Sequence, residues 1–500
     1  MHPLDQALAN ESLFHEYVRN ETRRQFFRSA GFGLGTAALA SLGANAAAPA
    51  PQGKGTKTGI GAALAETHFP AKCKNVIYLH MVGGPAQMDL FDYKPKMQDF
   101  YDKDLPESVR NGQRLTTMTS GQARFPIAPS KYKFAQYGPG GAWMSEVWKH
   151  LPKVAHEMCF IKSMHTEAIN HEPAITYIQT GNQVTGRPCL GAWMSYGLGS
   201  LNQNLPTFVV MVATPTNQDQ VQAISARLWQ SGYLSGEHAG VSFRAKGDPI
   251  LFINNPPGVS SDIRRKTLDG LKKLNELNHQ QTLDPETQTR ISQYEMAFRM
   301  QTSVPDLTDL SKESAKTLEM YGPDVKKPGS FANTALMARK LVEKGVRFVQ
   351  VYHNNWDHHG NLTGRMEFQA RDVDQPCHAL ITDLKARGML DSTLIIWGGE
   401  FGRTIYSQGG LSKTNYGRDH HPRCFTIWMA GGGIKGGTVY GETDDFSYNI
   451  VKDPCHLRDW HATVLHLLGL DHERFSYRYQ GLDQRLTGVE KANVIKALLA

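Results

Sequence analysis

Thr393–Pro422 reads TLIIWGGEFGRTIYSQGGLSKTNYGRDHHP. It opens on an apolar run, Leu394-Ile395-Ile396-Trp397, closed by Gly398 and Gly399. The run is short and bounded by turn formers, which predicts a buried strand. Glu400 follows, where such a strand delivers the carboxyl edge of its sheet, and ligands of open α/β sheets bind at that edge. About twenty residues later a predicted loop carries Asp419, His420 and His421. A strand-end carboxylate with a loop Asp-His pair is a mixed oxygen and nitrogen donor set that suits Zn, Mn or Mg. A salt-bridged glutamate beside a surface histidine pair is the plainer alternative.

Similar stretches recur along the chain. Asn75–His80 (NVIYLH) predicts a first strand, and its glycine turn leads to Asp89 and Asp92. Asp89 reads as a site residue, whereas Asp92 fits a site or a helix cap equally well. Met158–Met164 predicts a second strand, followed by His171 just ahead of a helix that starts near Ile175. The free N–H groups of a helix start suit an anion. Leu205–Ala213 predicts another strand. Residues 214–320 read as an irregular and helical insertion, with Leu268, Leu271, Leu274 and Leu277 at helical spacing and Arg264-Arg265-Lys266 on the surface. Phe331–Lys344 predicts an amphipathic helix closed by Gly345. The strand Val346–Tyr352 then delivers HNNWDHHGN, residues 353–361, with Asp357 and His359. A helix near Asp372–Arg387, a strand at Phe425–Met429 and a helix at Asp459–Leu468 complete the alternation. Strand and helix in turn predict α/β class, a central mostly parallel sheet sandwiched between helices.

The chain has 500 residues, net charge +7 and 40% hydrophobic residues. Its mean hydropathy of −0.42 marks a globular protein. So mild a charge, with no basic arm, argues against nucleic-acid binding. Thr22-Arg23-Arg24-Gln25-Phe26-Phe27-Arg28, an Ala/Gly-rich stretch and Ala44-Asn45-Ala46 lie in the order of a cleavable export signal. The paired arginines resemble a twin-arginine signal. Residues 1–46 are therefore expected to be a signal peptide read by the twin-arginine translocase. Residues 47–71 read as a flexible leader and 72–500 as the folded domain. The product is then periplasmic or secreted, with no stable membrane span after cleavage. Six cysteines are widely spaced, without a C-x-x-C pair, so their pairing stays open.

From about Asn75 to Val489 the chain resembles the bacterial DUF1501 family. The resemblance rests on GGPAQMDLFDYKP, NHEPAITYIQTG, GAWMSYGLGS, WDHHGNL, GGEFGRT, GRDHHP and HATVLHLLGLDHERFSYRYQGLDQRLT. That family looks like a branch of the alkaline phosphatase-like superfamily, with the sulfatases. The resemblance implies a one- or two-metal site at the sheet edge, with Zn, Mn, Ca or Mg as the divalent ion. It puts Asp89, Asp357, His359 and His420 on metal-ligand positions and Glu400 where relatives carry a metal-binding Asp. Phe401 replaces a ligand histidine, which weakens a second metal site. In His171-Glu172-Pro173 through Thr180-Gly181, His171 stands where sulfatases carry their nucleophile. This excludes formylglycine chemistry there and leaves His171 as a ligand or as a nucleophile forming phosphohistidine. A single metal activating water is the economical scheme. Glu400 or Asp89 would then add a ligand or base. Arg403 would clamp an oxyanion or form an ion pair with Glu400 or Asp419. Two functions follow. One is a metal-dependent hydrolase of anionic phosphate or sulfate esters, a polysaccharide among the candidate substrates. The other is an inactive, metal-stabilised binding or assembly protein on the same scaffold.

Overall fold

The computed structural model describes residues 55–500, apart from 220, 245–247 and 251–252. The expected signal peptide lies outside the described residues. Among the described residues nine strands form the central sheet. In chain order these are β1 (Asn75–Met81), β2 (Met158–His165), β3 (Phe208–Ala213), β4 (Val241–Phe243), β5 (Phe348–His353), β6 (Thr393–Gly398), β9 (Phe425–Ala430), β10 (Thr438–Tyr440) and β11 (Cys455–His456). Two further strands, β7 (Gly402–Ser407) and β8 (Arg418–His421), pair with each other outside this sheet, and Tyr406 of β7 also bridges Ile127. The order across the sheet is β10-β2-β9-β6-β1-β5-β3-β4, with β11 also paired to β2. Among the described residues β9 alone runs against its neighbours, and every other adjacent pair in this sheet is parallel.

Parallel strands covered on both faces read as continuous apolar runs, and this sheet obeys that rule. Ile77, Leu79, Ile395, Trp397, Val349 and Val351 point into one core. Helices α5 (Phe331–Glu343) and α6 (Leu362–Ala386) close that core. Val76, Tyr78, Leu394, Ile396, Phe348 and Tyr352 point into the other. That side is covered by α1 (His171–Thr180), α2 (Leu190–Leu198) and α7 (Leu457–Leu467). The expected helix–sheet–helix sandwich is therefore what the chain forms.

Three local expectations change. Residues 55–71, expected to be a flexible leader, are tied to the body. The Gly59 N–H donates to the Leu198 carbonyl at 2.8 Å, and Ile60 bridges Ser200. Asp419, His420 and His421, expected in a loop, lie on β8, where His420 faces Arg403 of β7. The helix expected from Asp372 begins ten residues earlier, at Leu362. The insertion contributes the edge strand β4 and two long helices, α3 (Ser261–Thr282) and α4 (Pro285–Thr308). All six cysteines are buried and unpaired. Among the described residues no helix is long and apolar enough to cross a membrane.

The middle of the sheet is fixed by Trp397 of β6 and Trp428 of β9. They are register partners whose rings stack at 6.0 Å and 4°. Both are buried, at 1% and 0% exposure. Trp397→Ala is expected to cost about 3–5 kcal/mol, read as a lower midpoint in urea unfolding with little change in slope.

Candidate metal centre

Four sheet-edge segments converge beyond the carboxyl ends of the central strands. β1 runs into Gly83-Gly84, β5 into Asn354–His359, and β6 into Gly399-Glu400. The fourth is the start of α1. The approach is close enough to require glycine at position 83. Its φ is +120°, and a Cβ there would lie 2.4 Å from the Asp357 backbone nitrogen. The Trp356 N–H donates to the Val82 carbonyl at 3.1 Å, which locks the β5 loop against β1.

His171, Asp357, His359 and His420 each offer one ligand atom, all within 4.8 Å of one another. Three imidazole Nε2 atoms surround one carboxylate oxygen. Asp357 Oδ1 lies 3.2 Å from His171, 2.8 Å from His359 and 3.5 Å from His420. The Nε2 atoms of His171 and His420 are buried yet make no hydrogen bond. Each ring's other nitrogen is fixed by an oxygen acceptor. Nδ1 of His171 lies 2.6 Å from Glu400 Oε1, that of His359 2.5 Å from Gln408 Oε1, and that of His420 2.8 Å from the Ile169 carbonyl. An acceptor at Nδ1 holds the proton there and leaves the Nε2 lone pair for a cation. Ligand atoms around a tetrahedral ion lie about 3.3 Å apart, given metal–ligand bonds of ~2.0–2.2 Å. The cluster therefore fits a divalent metal.

The supporting groups are as specific. Glu400 is fully buried and accepts from the Gly83 N–H at 2.9 Å, while His80 Nε2 lies 3.5 Å away. Glu400 therefore orients His171 and stands outside the ligand set that the sequence assigns it to. Arg403 is 1% exposed. It donates to the carbonyls of Gly84 at 2.9 Å and Arg418 at 3.1 Å, to that of Gly83, and to Asp357. Four of its five N–H groups are taken within the protein, so it is not free to clamp an oxyanion bidentately, and its ion-pair partner is Asp357 rather than Glu400 or Asp419. Asp89 also leaves the expected ligand set. It pairs with the buried Arg418 at 2.7 Å and accepts from the Tyr416 hydroxyl at 2.8 Å. Asp92 sits between Lys94 and Lys162, at 3.5 and 3.3 Å. Asp419 accepts from the hydroxyls of Thr116 and Thr119. Phe401 forms an apolar wall, its ring centroid 4.9 Å from His171 and 4.5 Å from His420.

Sequence reasoning missed Gln408, the Ile169 carbonyl and Gln222. The Gln222 amide donates to Asp357 Oδ2 at 2.6 Å. Glutamines and a carbonyl in irregular segments carry no sequence signal for such a role.

Burial alone would raise the Asp357 pKa, but the Arg403 charge and the three histidines hold it well below the usual carboxylate range. Glu400 is likewise held low against burial by His171 and His80. Burial pulls His171 down, yet the Asp357 and Glu400 carboxylates outweigh it, so its pKa is raised. Burial pushes His420 down to about 4. In the metal-free cluster His171 therefore takes a proton more readily than His420 does.

The chain belongs to the family described as "Protein of unknown function (DUF1501)", which it matches over residues 73–499. A comparison with curated proteins returns no match. Among solved structures it is similar to three hydrolases. The PsFucS1 sulfatase from Pseudoalteromonas sp. is 16% identical, with 86% of this chain and 72% of that one covered and a TM-score of 0.30. The phosphonate monoester hydrolase of Agrobacterium radiobacter is 10% identical, with 85% and 77% covered and a TM-score of 0.33. The alkaline phosphatase from the Antarctic bacterium TAB5 is 12% identical, with 72% and 92% covered and a TM-score of 0.29.

Two outcomes are expected. Asp89→Ala strips the buried Arg418 of its partner and should cost about 3–5 kcal/mol in denaturant unfolding, yet the folded protein should keep its metal. Asp357→Ala should lose the metal. Elemental analysis of both variants separates the two roles. The second outcome concerns pH. His171 has a raised folded pKa, so its contribution to metal-free stability is full below about pH 6.5 and is lost as pH rises through the raised value. Asp357 and Glu400 act on the acid side: their contribution is present above about pH 4 and is lost as pH falls through their depressed values. Metal replaces the His171 proton, so affinity should rise about tenfold per pH unit below the His171 pKa and level off above it. Competition with a chromophoric chelator measures this, and a flat profile would remove His171 from the ligand set.

Proposed function

We propose that this chain is an exported, metal-dependent hydrolase of phosphate or sulfate esters, with polysaccharide esters within its substrate class. The observation that carries the reading is the convergence of three Nδ1-anchored imidazoles on one oxygen of Asp357. Three nitrogens and one oxygen suit Zn or Mn better than Ca or Mg, which prefer oxygen ligands. A divalent cation held there supplies Lewis acidity toward an ester oxygen and acidifies water.

The protein's own groups set the rest. The His171 and His359 side chains keep 14% and 18% exposure, so the cluster is reachable from outside. Phe401 excludes water from the inner side. Both ring nitrogens of His171 are committed, Nδ1 to Glu400 and Nε2 to the cluster. This favours water over His171 as the nucleophile. Gln222 and Arg403 hold the two Asp357 oxygens in place. Export by the twin-arginine translocase, to a periplasmic or secreted location, is supported by the Arg23-Arg24 segment. The six buried, unpaired cysteines also support it, since such a core suits folding in a reducing compartment before export.

A second reading, an inactive metal-stabilised binding or assembly protein, is favoured by Arg403, four of whose five N–H groups are taken within the protein. One experiment decides between them. The metal content of the exported protein is measured, followed by turnover of nitrophenyl phosphate, nitrophenyl sulfate and sulfated oligosaccharides. The hydrolase should carry metal and lose turnover on chelation. Glu400→Gln should lower metal affinity or kcat/KM roughly 10–100-fold by freeing His171. Metal-loaded protein that turns over none of these esters would support the binding reading. Folded protein without metal would sink the hydrolase.

A further inference from the structure

Two irregular segments hold Asp357 from different parts of the chain. One is the turn after β5, which carries Asp357 itself and His359. The other carries Gln222, whose amide donates to Asp357 Oδ2 at 2.6 Å. One arginine touches both segments. Arg365 lies on the first turn of α6. Its Nη1 donates to the Gly360 carbonyl at 3.1 Å, one residue past His359. Its Nε lies 3.6 Å from Asp219 Oδ2, three residues before Gln222. Its charge is felt between two members of the cluster: burial, the Arg403 charge and the Arg365 charge together pull the His358 pKa down to about 3.

The guanidinium of Arg365 is anchored but open. Buried donors are normally hydrogen-bonded. Among the described residues the Gly360 carbonyl is the one hydrogen-bond acceptor of this side chain. Nε is buried without a hydrogen bond, and Nη2 donates to no protein group. Asp219 does not fill the gap, since 3.6 Å is too long for a hydrogen bond. The Asp219 side chain is 57% exposed, against 17% for Arg365. It is a screened counter-ion that another anion can displace. The other arginines near the cluster are more fully committed. Arg403 has four of its five N–H groups taken, Arg418 pairs with Asp89, and Arg227 donates to Glu172.

We infer that Arg365 is the oxyanion clamp of this site, its Nε–Nη2 edge taking two oxygens of a tetrahedral phosphate or sulfate group once Asp219 swings aside. Two parallel N–H donors on a planar fork match two oxygens of such an anion. The Gly360 carbonyl fixes where the fork points. The clamp takes its ligand class from the hydrolase reading above, but it can be tested without turnover.

The full-length protein, as purified and zinc-loaded, is titrated with inorganic phosphate in a calorimeter. The zinc-loaded wild type should bind phosphate. Arg365→Gln should weaken binding roughly 10–100-fold, with circular dichroism and metal content unchanged. Arg365→Lys keeps the charge without the fork and should recover only part of the loss. Asp219→Asn removes the competing carboxylate and should tighten binding about 2–5-fold. That variant leaves Arg365 in place, so it tests the clamp even if the Arg365 variants fail to fold. Unchanged affinity in Arg365→Gln, or unchanged or lower affinity in Asp219→Asn, would overturn the inference. So would a wild type that binds no phosphate in either form. A loss seen in Arg227→Gln but not in Arg365→Gln would also overturn it and place the clamp at Arg227. The hydrolase reading fails separately: protein that binds phosphate through Arg365 yet turns over no ester keeps the clamp and loses the enzyme.

Discussion

A buried carboxylate must stay ionised for this site to exist, and Asp357 is that carboxylate. Taking an ionised aspartate out of water is costly unless it is paired and hydrogen-bonded. Here the compensation comes from Arg403, Gln222 and three imidazoles arriving from different elements. Arg403 is the keystone of that set. The carbonyls of Gly83, Gly84 and Arg418 hold its guanidinium in one place. The charge facing Asp357 is thus set by the backbone of the glycine turn and of β8 rather than by a mobile side chain. The glycine turn after β1 is needed for the same reason: a side chain at residue 83 would drive that backbone off the Asp357 segment.

The groups around His171 support one another when taken as a set. Glu400 stands outside the cluster and anchors His171 Nδ1. His171 turns its other nitrogen toward Asp357. Phe401 lies against both His171 and His420. Together they give one compact site with three nitrogen donors and a single carboxylate, walled by an aromatic ring.

Much of the fold was legible because the sheet is buried on both faces. Its strands read as apolar runs, from Asn75 to Ala430, and their order in the chain implied the parallel sheet. The short hairpin of β7 and β8 was not legible, since Arg403, Arg418, Asp419, His420 and His421 give it no apolar run and are buried through specific partners, leaving only Ile405 and Tyr406 of β7 in an apolar cluster. At the site, sequence placed Asp357 and His359 after a strand, His171 just ahead of a helix and His420 in a nearby loop, and the structure brings the four together. It misplaced Asp89, Glu400 and Arg403. A residue type at a sheet edge says that a ligand group is near, but not which of its atoms another residue has already taken. Arg418 takes Asp89, and His171 with Gly83 takes Glu400. Both partners are hundreds of residues away in the chain, beyond the reach of any spacing argument.

The commitment of His171 bears on the chemistry more than any other single feature. A histidine nucleophile needs one nitrogen with an available lone pair aimed at substrate and the other nitrogen held by an acceptor. His171 meets the second condition through Glu400. Its Nε2, however, points at the same carboxylate oxygen as His359 and His420. That nitrogen cannot serve a cation and a phosphorus atom together. The same contact that closes the covalent route therefore completes the set of nitrogen donors around Asp357 Oδ1. Any nucleophile such a cluster could use would have to come from solvent. The partial exposure of His171 and His359, on the outer side of an otherwise sealed cluster, leaves solvent a way in.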